Sequence, residues 1–201
     1  MKKAALFIIP LFIYFSGLAQ NIGYHYNEEF YFVKEVPVML FHGKNFCFEI
    51  AVRANPSDTL SKVRIHGVGV GERKDDFLNS DFKLENRQEQ EWMIYSIRGK
   101  VSPQAQKLWF YSAVNGNGDF FFDDVTCYIE EAPGKWKQLE LYNASFEVKS
   151  NDIFKGYYVS KPFSATIRTK LTGAVYKTGK KSLHVQTRGQ LPLPLTNTSR
   201  N

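Results

Sequence analysis

Cysteine is scarce in this 201-residue chain: Cys47 and Cys127 are the only two, too few for a disulfide framework to stand in for a hydrophobic core. Histidine is scarce as well, and His25, His42, His66 and His184 follow none of the spacings that hold a metal ion. There is no Gly-x-Ser-x-Gly elbow, so the usual mark of an α/β-type serine hydrolase is missing. Also missing is a long amphipathic helical pattern, which argues against an α/β enzyme core. Gly67-Val-Gly-Val-Gly71 lacks both the dinucleotide spacing and a following helix, and reads as a turn or bulge rather than a phosphate loop. The net charge of +6 includes Lys2 and Lys3, and the other basic residues are scattered except near the C-terminus. Such a pattern gives little support to nucleic-acid binding.

What is present begins with an export signal. Lys2 and Lys3 precede an apolar run from Ala4 to Phe15, and Gly17-Leu18-Ala19 places small residues where a signal peptidase reads. Residues 1–19 are therefore set apart as a signal peptide, since the run is too short to be a good spanning helix. The expectation is a secreted or periplasmic chain with no membrane span after signal removal. No cysteine follows the cleavage pattern, which argues against a lipid anchor. Roughly 180 residues remain, enough for one ordinary domain or for one domain and part of another.

Aromatic residues make up 15% of the chain, and they fall in short alternating runs. Phe46, Phe48, Ile50, Val52 and Ala54 alternate with Asn45, Cys47, Glu49, Ala51 and Arg53, a half-buried strand that ends in the turn residues Asn55-Pro56-Ser57-Asp58. Lys62 to Val70 forms another strand, with Val63 and Ile65 inward. Residues 71–90 read as a loop or irregular strand, and Glu91 to Ile97 returns to β composition. Asn21 to Val38, broken at Pro37, reads as an edge strand. Short strands, frequent turns and no helix predict an all-β antiparallel sandwich.

The clearest turn is Asn115-Gly116-Asn117-Gly118, between Lys107–Val114 and Phe120–Glu130, and its chemistry predicts a hairpin. In the second strand, strict alternation puts Phe121, Asp123, Val125, Cys127 and Ile129 on the core face and Phe122, Asp124, Thr126, Tyr128 and Glu130 outside. An inward Asp123 must be paired, hydrogen-bonded or metal-bound. Asp123 and Asp124 point to opposite faces, so they cannot flank one bond as a glycosidase pair does. Cys127 inward and Cys47 outward likewise argue against a disulfide. On the outer face, Trp109, Tyr111, Phe122 and Tyr128 would share one sheet with Glu49 and Arg53, which offers a platform for sugar rings. The competing reading packs these aromatics beneath a loop or the following segment.

Gly43-Lys-Asn-Phe-Cys-Phe-Glu-Ile-Ala-Val-Arg53, then Glu91-Trp92 with Tyr95, then Gly118-Asp-Phe-Phe-Phe-Asp-Asp-Val125 resemble in their order the galactose-binding-like jelly rolls of carbohydrate-binding modules. The resemblance covers about residues 36 to 131 and places one β-sandwich module at 20–133. A second resemblance follows. Asn143-Ala-Ser-Phe146-Glu147 and Gly179-Lys-Lys-Ser182-Leu183 look like the opening of another such module. Residues 134–201 are then either an incomplete second β module or a C-terminal extension that adds strands to the first.

The resemblance implies a non-catalytic module that binds carbohydrate or another extracellular surface. The alternative it implies is a structural accessory domain of a secreted hydrolase of the tail-specific peptidase or esterase type, with its catalytic part outside this chain. It also implies a structural calcium, with Asp123 as the matching ligand and the partner carboxylate left open among Glu28, Glu29 and Glu35. Asn143-Ala-Ser145 and Asn197-Thr-Ser199 fit the N-glycosylation triplet.

Overall fold

Alternation decides most of the architecture, because a strand with one apolar and one polar edge must pair sideways and bury one face. A computed structural model describes residues 24–26, 29–78, 81–160, 166–190 and 192–194, so the expected signal peptide at 1–19 and Asn197 lie outside the described residues. The strands in chain order are β1 (Tyr24–Tyr26), β2 (Glu29–Pro37), β3 (Asn45–Pro56), β4 (Lys62–Val70), β5 (Phe77–Leu78), β6 (Lys83–Glu89) and β7 (Trp92–Lys100). They continue with β8 (Lys107–Asn115), β9 (Gly118–Ala132), β10 (Lys135–Gln138), β11 (Tyr158–Val159), β12 (Ile167–Thr172), β13 (Ser182–Thr187) and β14 (Pro192–Pro194). A larger sheet runs β12-β13-β9-β3-β7-β6 with β10 also on β9, a smaller sheet runs β11-β2-β8-β4-β5, and β1 pairs with β14. Every pairing is antiparallel. Among the described residues there is no α-helix, and a 3-10 turn at Met39–Phe41 is the helical exception.

The two sheets face each other across one core. Phe46, Phe48, Ile50 and Val52 of β3 point into it, as their spacing predicts, and meet Phe30, Phe32 and Val36 of β2 and Leu108, Phe110 and Val114 of β8. Phe48 stacks on Phe110 at 3.9 Å between ring centroids, and Phe32 meets Phe122 edge-on at 5.0 Å. The run Gly67-Val-Gly-Val-Gly71 lies largely within β4 and is not the expected turn. A Cβ on Gly67 would come within 3.1 Å of Phe110, so the glycine leaves room for a core ring.

The expected hairpin does not form. Gly116, at φ +85°, turns the chain, but β8 pairs with β2 and β4 in the smaller sheet while β9 pairs with β3 and β13 in the larger one. Asn115-Gly116-Asn117-Gly118 is therefore an arch from one sheet to the other. Ser57 N and Ser61 Oγ both donate to Asn117 O at 2.8 Å and hold the arch. Turn residues report a reversal of the chain; they do not report whether the flanking strands then pair.

Strict alternation along β9 fails as well. Glu49 of β3 faces Thr126 and Ala51 faces Asp123, so Ile50 opposes two residues, a β-bulge with Asp124 at φ +49°. The extra residue exchanges the faces. Phe120 and Phe122 enter the core before the bulge and Val125, Cys127 and Ile129 after it, while Phe121 packs on the outside with Ala51, Trp92 and Ile94. Cys127 is in the core and Cys47 on the other side of the sheet; both are free, and burial pushes their thiols up to about 12 and about 11.

Residues beyond 134 join both sheets. β10 and β13 share one edge of β9, β12 extends the larger sheet, and β11 adds to β2. Between them, the irregular stretch 139–157 brings Phe146 and Phe154 into the same core as Phe32 and Phe122. Lys34 points inward with them, donating to Tyr142 O at 2.5 Å and Gly156 O at 3.2 Å, with its ammonium 4.3 Å from the Tyr157 ring centre. Burial lowers its pKa to about 8. Asn143 is buried, its amide donating to Lys155 O and its carbonyl accepting from Val148 N, which ties the side chain of this glycosylation triplet into the fold.

Candidate functional site: an aromatic face on the smaller sheet

Trp109 and Tyr111 point outward from β8, as the alternation of Leu108, Phe110, Val114 with them predicts. The register then sets their neighbours. Glu35 of β2 and Val68 of β4 lie opposite Trp109, while Val33 and His66 lie opposite Tyr111. Tyr158 of β11 faces Val33, and Phe77 of β5 faces Val70. The result is a row across the sheet in which Trp109 stands 5.9 Å from Phe77 and 5.8 Å from Tyr158. Beside it, Tyr111 lies 5.9 Å from Tyr31 and stacks on His66 at 4.5 Å, and Trp109 and Tyr111 join the rows at 6.3 Å.

The outer rings are open to solvent, Phe77 55%, Tyr158 48% and Tyr31 37% exposed, while Trp109 and Tyr111 between them are half-buried. Contiguous apolar surface of this kind is uncommon on a sheet that has no partner. A cleft of about 680 Å³ adjoins it, lined by Tyr31, Arg64, His66 and Tyr111 among others. Burial and the Arg64 guanidinium both lower the His66 pKa, so at neutral pH the stacked imidazole is uncharged.

Glu35 is the polar centre of the face. Its Oε2 accepts from Trp109 Nε1 at 2.8 Å and Tyr158 OH at 3.4 Å, and pairs with Lys107 Nζ at 2.9 Å. Burial works to raise its carboxyl, yet the bonds from Lys107, Trp109 and Tyr158 hold it below the usual value. One carboxylate thus fixes two rings and a cation, and Lys107 lies 5.4 Å from the Trp109 ring centre. At the other end of the face Arg64 pairs with Glu29.

The remaining residues of the expected platform are elsewhere. Phe122 is fully buried in the core, on the inner side of β9. Tyr128, Glu49 and Arg53 lie on the outer face of the larger sheet, across the thickness of the sandwich from Trp109. Glu49 is committed there, bonded to Arg87 at 2.7 Å and Ser96 at 2.7 Å, and these partners outweigh burial to keep its carboxyl low. The arch and the bulge are the reasons: the first puts β8 and β9 in different sheets, and the second turns Phe122 inward.

Asp123 is completely buried, but outside the main core, beneath the loop 173–181. Its Oδ2 accepts from Lys177 N at 2.8 Å and Thr178 N at 3.3 Å, and its Oδ1 from Asp124 N at 2.8 Å. Burial pushes its pKa to about 6 although these three bonds oppose the rise. Donor N–H groups on both oxygens are the wrong neighbours for a cation, and no cluster of metal-ligating side chains occurs among the described residues. The residues around Asp123 do not fit a calcium ion. They fit a loop anchor, assisted by Glu147 Oε1, which accepts from Lys180 N at 2.6 Å and Lys181 N at 2.7 Å.

The sequence places Trp109 and Tyr111 on an outer face; it does not single out Tyr31, Phe77, Tyr158 or His66, and it offers Glu35 only as a candidate calcium partner. Tyr31 and Glu35 carried a signal, since they alternate with Phe30, Phe32 and Val36 along β2. Phe77 and Tyr158 sit in two-residue strands, too short for any period to show. Comparison of the chain with known proteins finds no matching family model, no matching curated protein and no matching solved structure.

Proposed function

We propose that the chain is a non-catalytic module that binds polysaccharide through the outer face of the smaller sheet, in the manner of the galactose-binding-like jelly rolls it resembles. The observation that carries this reading is the contiguous set of six rings from Phe77 through Trp109 and Tyr111 to Tyr158, Tyr31 and His66. The apolar faces of sugar rings stack on such a surface, and Glu35, Lys107 and Arg64 supply directional partners for hydroxyls. An open row of rings suits an extended chain better than a single sugar. Export, as the leader at 1–19 implies, would bring the module to polysaccharides outside the cell.

Adsorption to insoluble and soluble polysaccharides tests the proposal. Wild type is retained, and Trp109→Ala and Tyr158→Ala lose retention by about tenfold or more while staying folded, with melting lowered by only about 2–4 °C, as expected for stacking residues near a binding centre. EDTA leaves retention unchanged. Consistent silence of the wild type across polysaccharides and glycan arrays would favour a structural accessory domain instead.

A further inference from the structure

A second concavity lies on the opposite side of the sandwich. Arg53 of β3, the β6–β7 turn and the loop 173–181 enclose a cleft of about 640 Å³, within the size range of small-molecule sites. Trp92 and Val175 form its apolar floor, and Tyr176, 47% exposed, stands in its wall. The wall is held in place before any ligand arrives, because the buried Asp123 fixes the amides of Lys177 and Thr178 and Glu147 fixes those of Lys180 and Lys181. A fully buried carboxylate is costly to keep, and here it holds the shape of a cleft rather than a core.

The cleft has two cations and only provisional partners for them. Arg53 Nη1 donates to Glu91 Oε2 at 2.5 Å; among the described residues its other guanidinium N–H groups meet no acceptor. Glu91 is 69% exposed at the tip of the β6–β7 turn, so the pair is of the weak, solvent-screened kind. Lys177 Nζ is shared between Glu89 Oε2 at 3.2 Å and Asp124 Oδ2 at 3.5 Å. A partly buried guanidinium with unused donors in a fixed fork is a receptor for a planar oxyanion, above all a carboxylate. Glu91 occupies that receptor as an internal carboxylate would.

We propose that this cleft recognises a carboxylate and takes a hexuronic acid residue of an acidic polysaccharide, with Arg53 as receptor and Glu91 as the side chain it displaces. The sugar source is favoured over a peptide terminus by the exposed Tyr176 ring, which a pyranose can stack on, and by Gln90 in the cleft lining, whose amide suits hydroxyls. Lys177 adds a second cation within the same wall. The site stands apart from the aromatic face, so either assignment can fail alone.

Titration of the whole chain with free glucuronate and galacturonate, followed by NMR shifts and calorimetry, provides the test, with glucose and galactose as neutral controls. The hexuronates shift Tyr176 and Lys177 resonances and the neutral sugars do not. Arg53→Gln weakens binding about tenfold, the loss of a charge-assisted contact. Glu91→Gln strengthens it about threefold by removing the competitor, a gain that no structural role of Glu91 would produce. Readout at the Tyr176 and Lys177 resonances separates binding in this cleft from stacking on the aromatic face. Equal binding of charged and neutral sugars, or Glu91→Gln weakening the complex, would overturn the proposal. So would tighter binding of a short peptide with a free C-terminal carboxylate, which would assign the cleft to polypeptide. Should Arg53→Gln unfold, Tyr176→Ala at its exposed position carries the same expectation of weakened binding.

Discussion

The two outer faces of this sandwich are built from opposite materials. On the smaller sheet, rings touch rings, with the Glu35–Lys107 pair among them and Glu29 with Arg64 at one end. On the larger sheet, charges lie across the strands: Glu49 to Arg87, Arg87 to Glu89, Glu89 to Lys177 and Lys177 to Asp124. A loop covers part of the larger face and packs Val175 on Phe121 and Trp92. Among the described residues no loop covers the smaller face in this way. Solvated charge needs no partner, whereas exposed rings are tolerated mostly where something docks on them, and that contrast is why the aromatic side is read as the principal surface.

The comparison breaks most visibly if a residue assigned to the core is truncated. Phe122 was expected on the same surface as Trp109, and the structure puts it inside with Phe32 against it. Phe122→Ala should therefore cost about 3–5 kcal/mol by denaturant unfolding, with the slope of the transition unchanged. Trp109→Ala should cost about 1 kcal/mol, because its half-buried ring meets surface rings, Glu35 and Lys107 rather than the core. If the two losses were equal, the assignment of inner and outer faces would be wrong.

Those two residues also show where the sequence was legible. Alternation in β3 and β8 places Phe46, Phe48, Leu108 and Phe110 correctly, because a regular strand carries its own face assignment. Which strands then pair is a long-range fact, and neither Gly116 nor Asn117 encodes it. The bulge at Asp124 is equally silent: a residue at φ +49° is held there by Ala144 O accepting from Val125 N and by the loop that caps Asp123, all more than fifteen residues away. The irregular stretch 139–157 gives no periodicity although it closes the core with Phe146. For that reason the segment from 134 onward, expressed alone, should show little amide protection, whereas β12, β13 and Phe146 in the full chain should be protected to the level of β9.

A second test sharpens the contrast through pH. Asp123 titrates near 6 in the folded protein against 3.8 in the free residue. The native state thus holds the proton more tightly, so this group's contribution to stability is complete below about pH 4 and lost as pH rises through about 6, by of the order of 2–3 kcal/mol. Asp119 behaves oppositely. Burial opposes, but Arg188, Gln186 and His184 hold its carboxyl at about 2, so its contribution is present above its free value and is lost on further acidification. Comparing wild type with Asp123→Asn isolates the first effect: the stability gap between them should narrow from pH 4 to pH 7. A gap that stays constant would mean that burial does not control this carboxylate. At neutral pH either the amide of Asp124 or those of Lys177 and Thr178 should also exchange faster in the variant, since the carboxylate uses two acceptor oxygens and an amide side chain has one.

The smallest effect is expected for the most conspicuous charges. Arg87 joins Glu49 and Glu89 on the outer face of the larger sheet, and the network looks like a clasp between β3 and β6. Arg87 and Glu89 are about half exposed, however, and an exposed pair returns little beyond what ordering two long side chains costs. Glu49 is the better buried partner and also accepts from Ser96, so the two halves of the network should differ. Arg87→Met should cost under about 1 kcal/mol in low salt and less in high salt, because Glu49 keeps its hydroxyl donor and lies near enough to water to recover solvation. Glu49→Gln should cost slightly more, since it leaves Arg87 with the exposed Glu89 as its one carboxylate partner beside the Ser96 hydroxyl. A double-mutant cycle between positions 49 and 87 measures the coupling directly. A coupling above about 2 kcal/mol would show that the charged face is as much a structural element as the core, and it would remove the main reason for treating the two outer faces as different in kind.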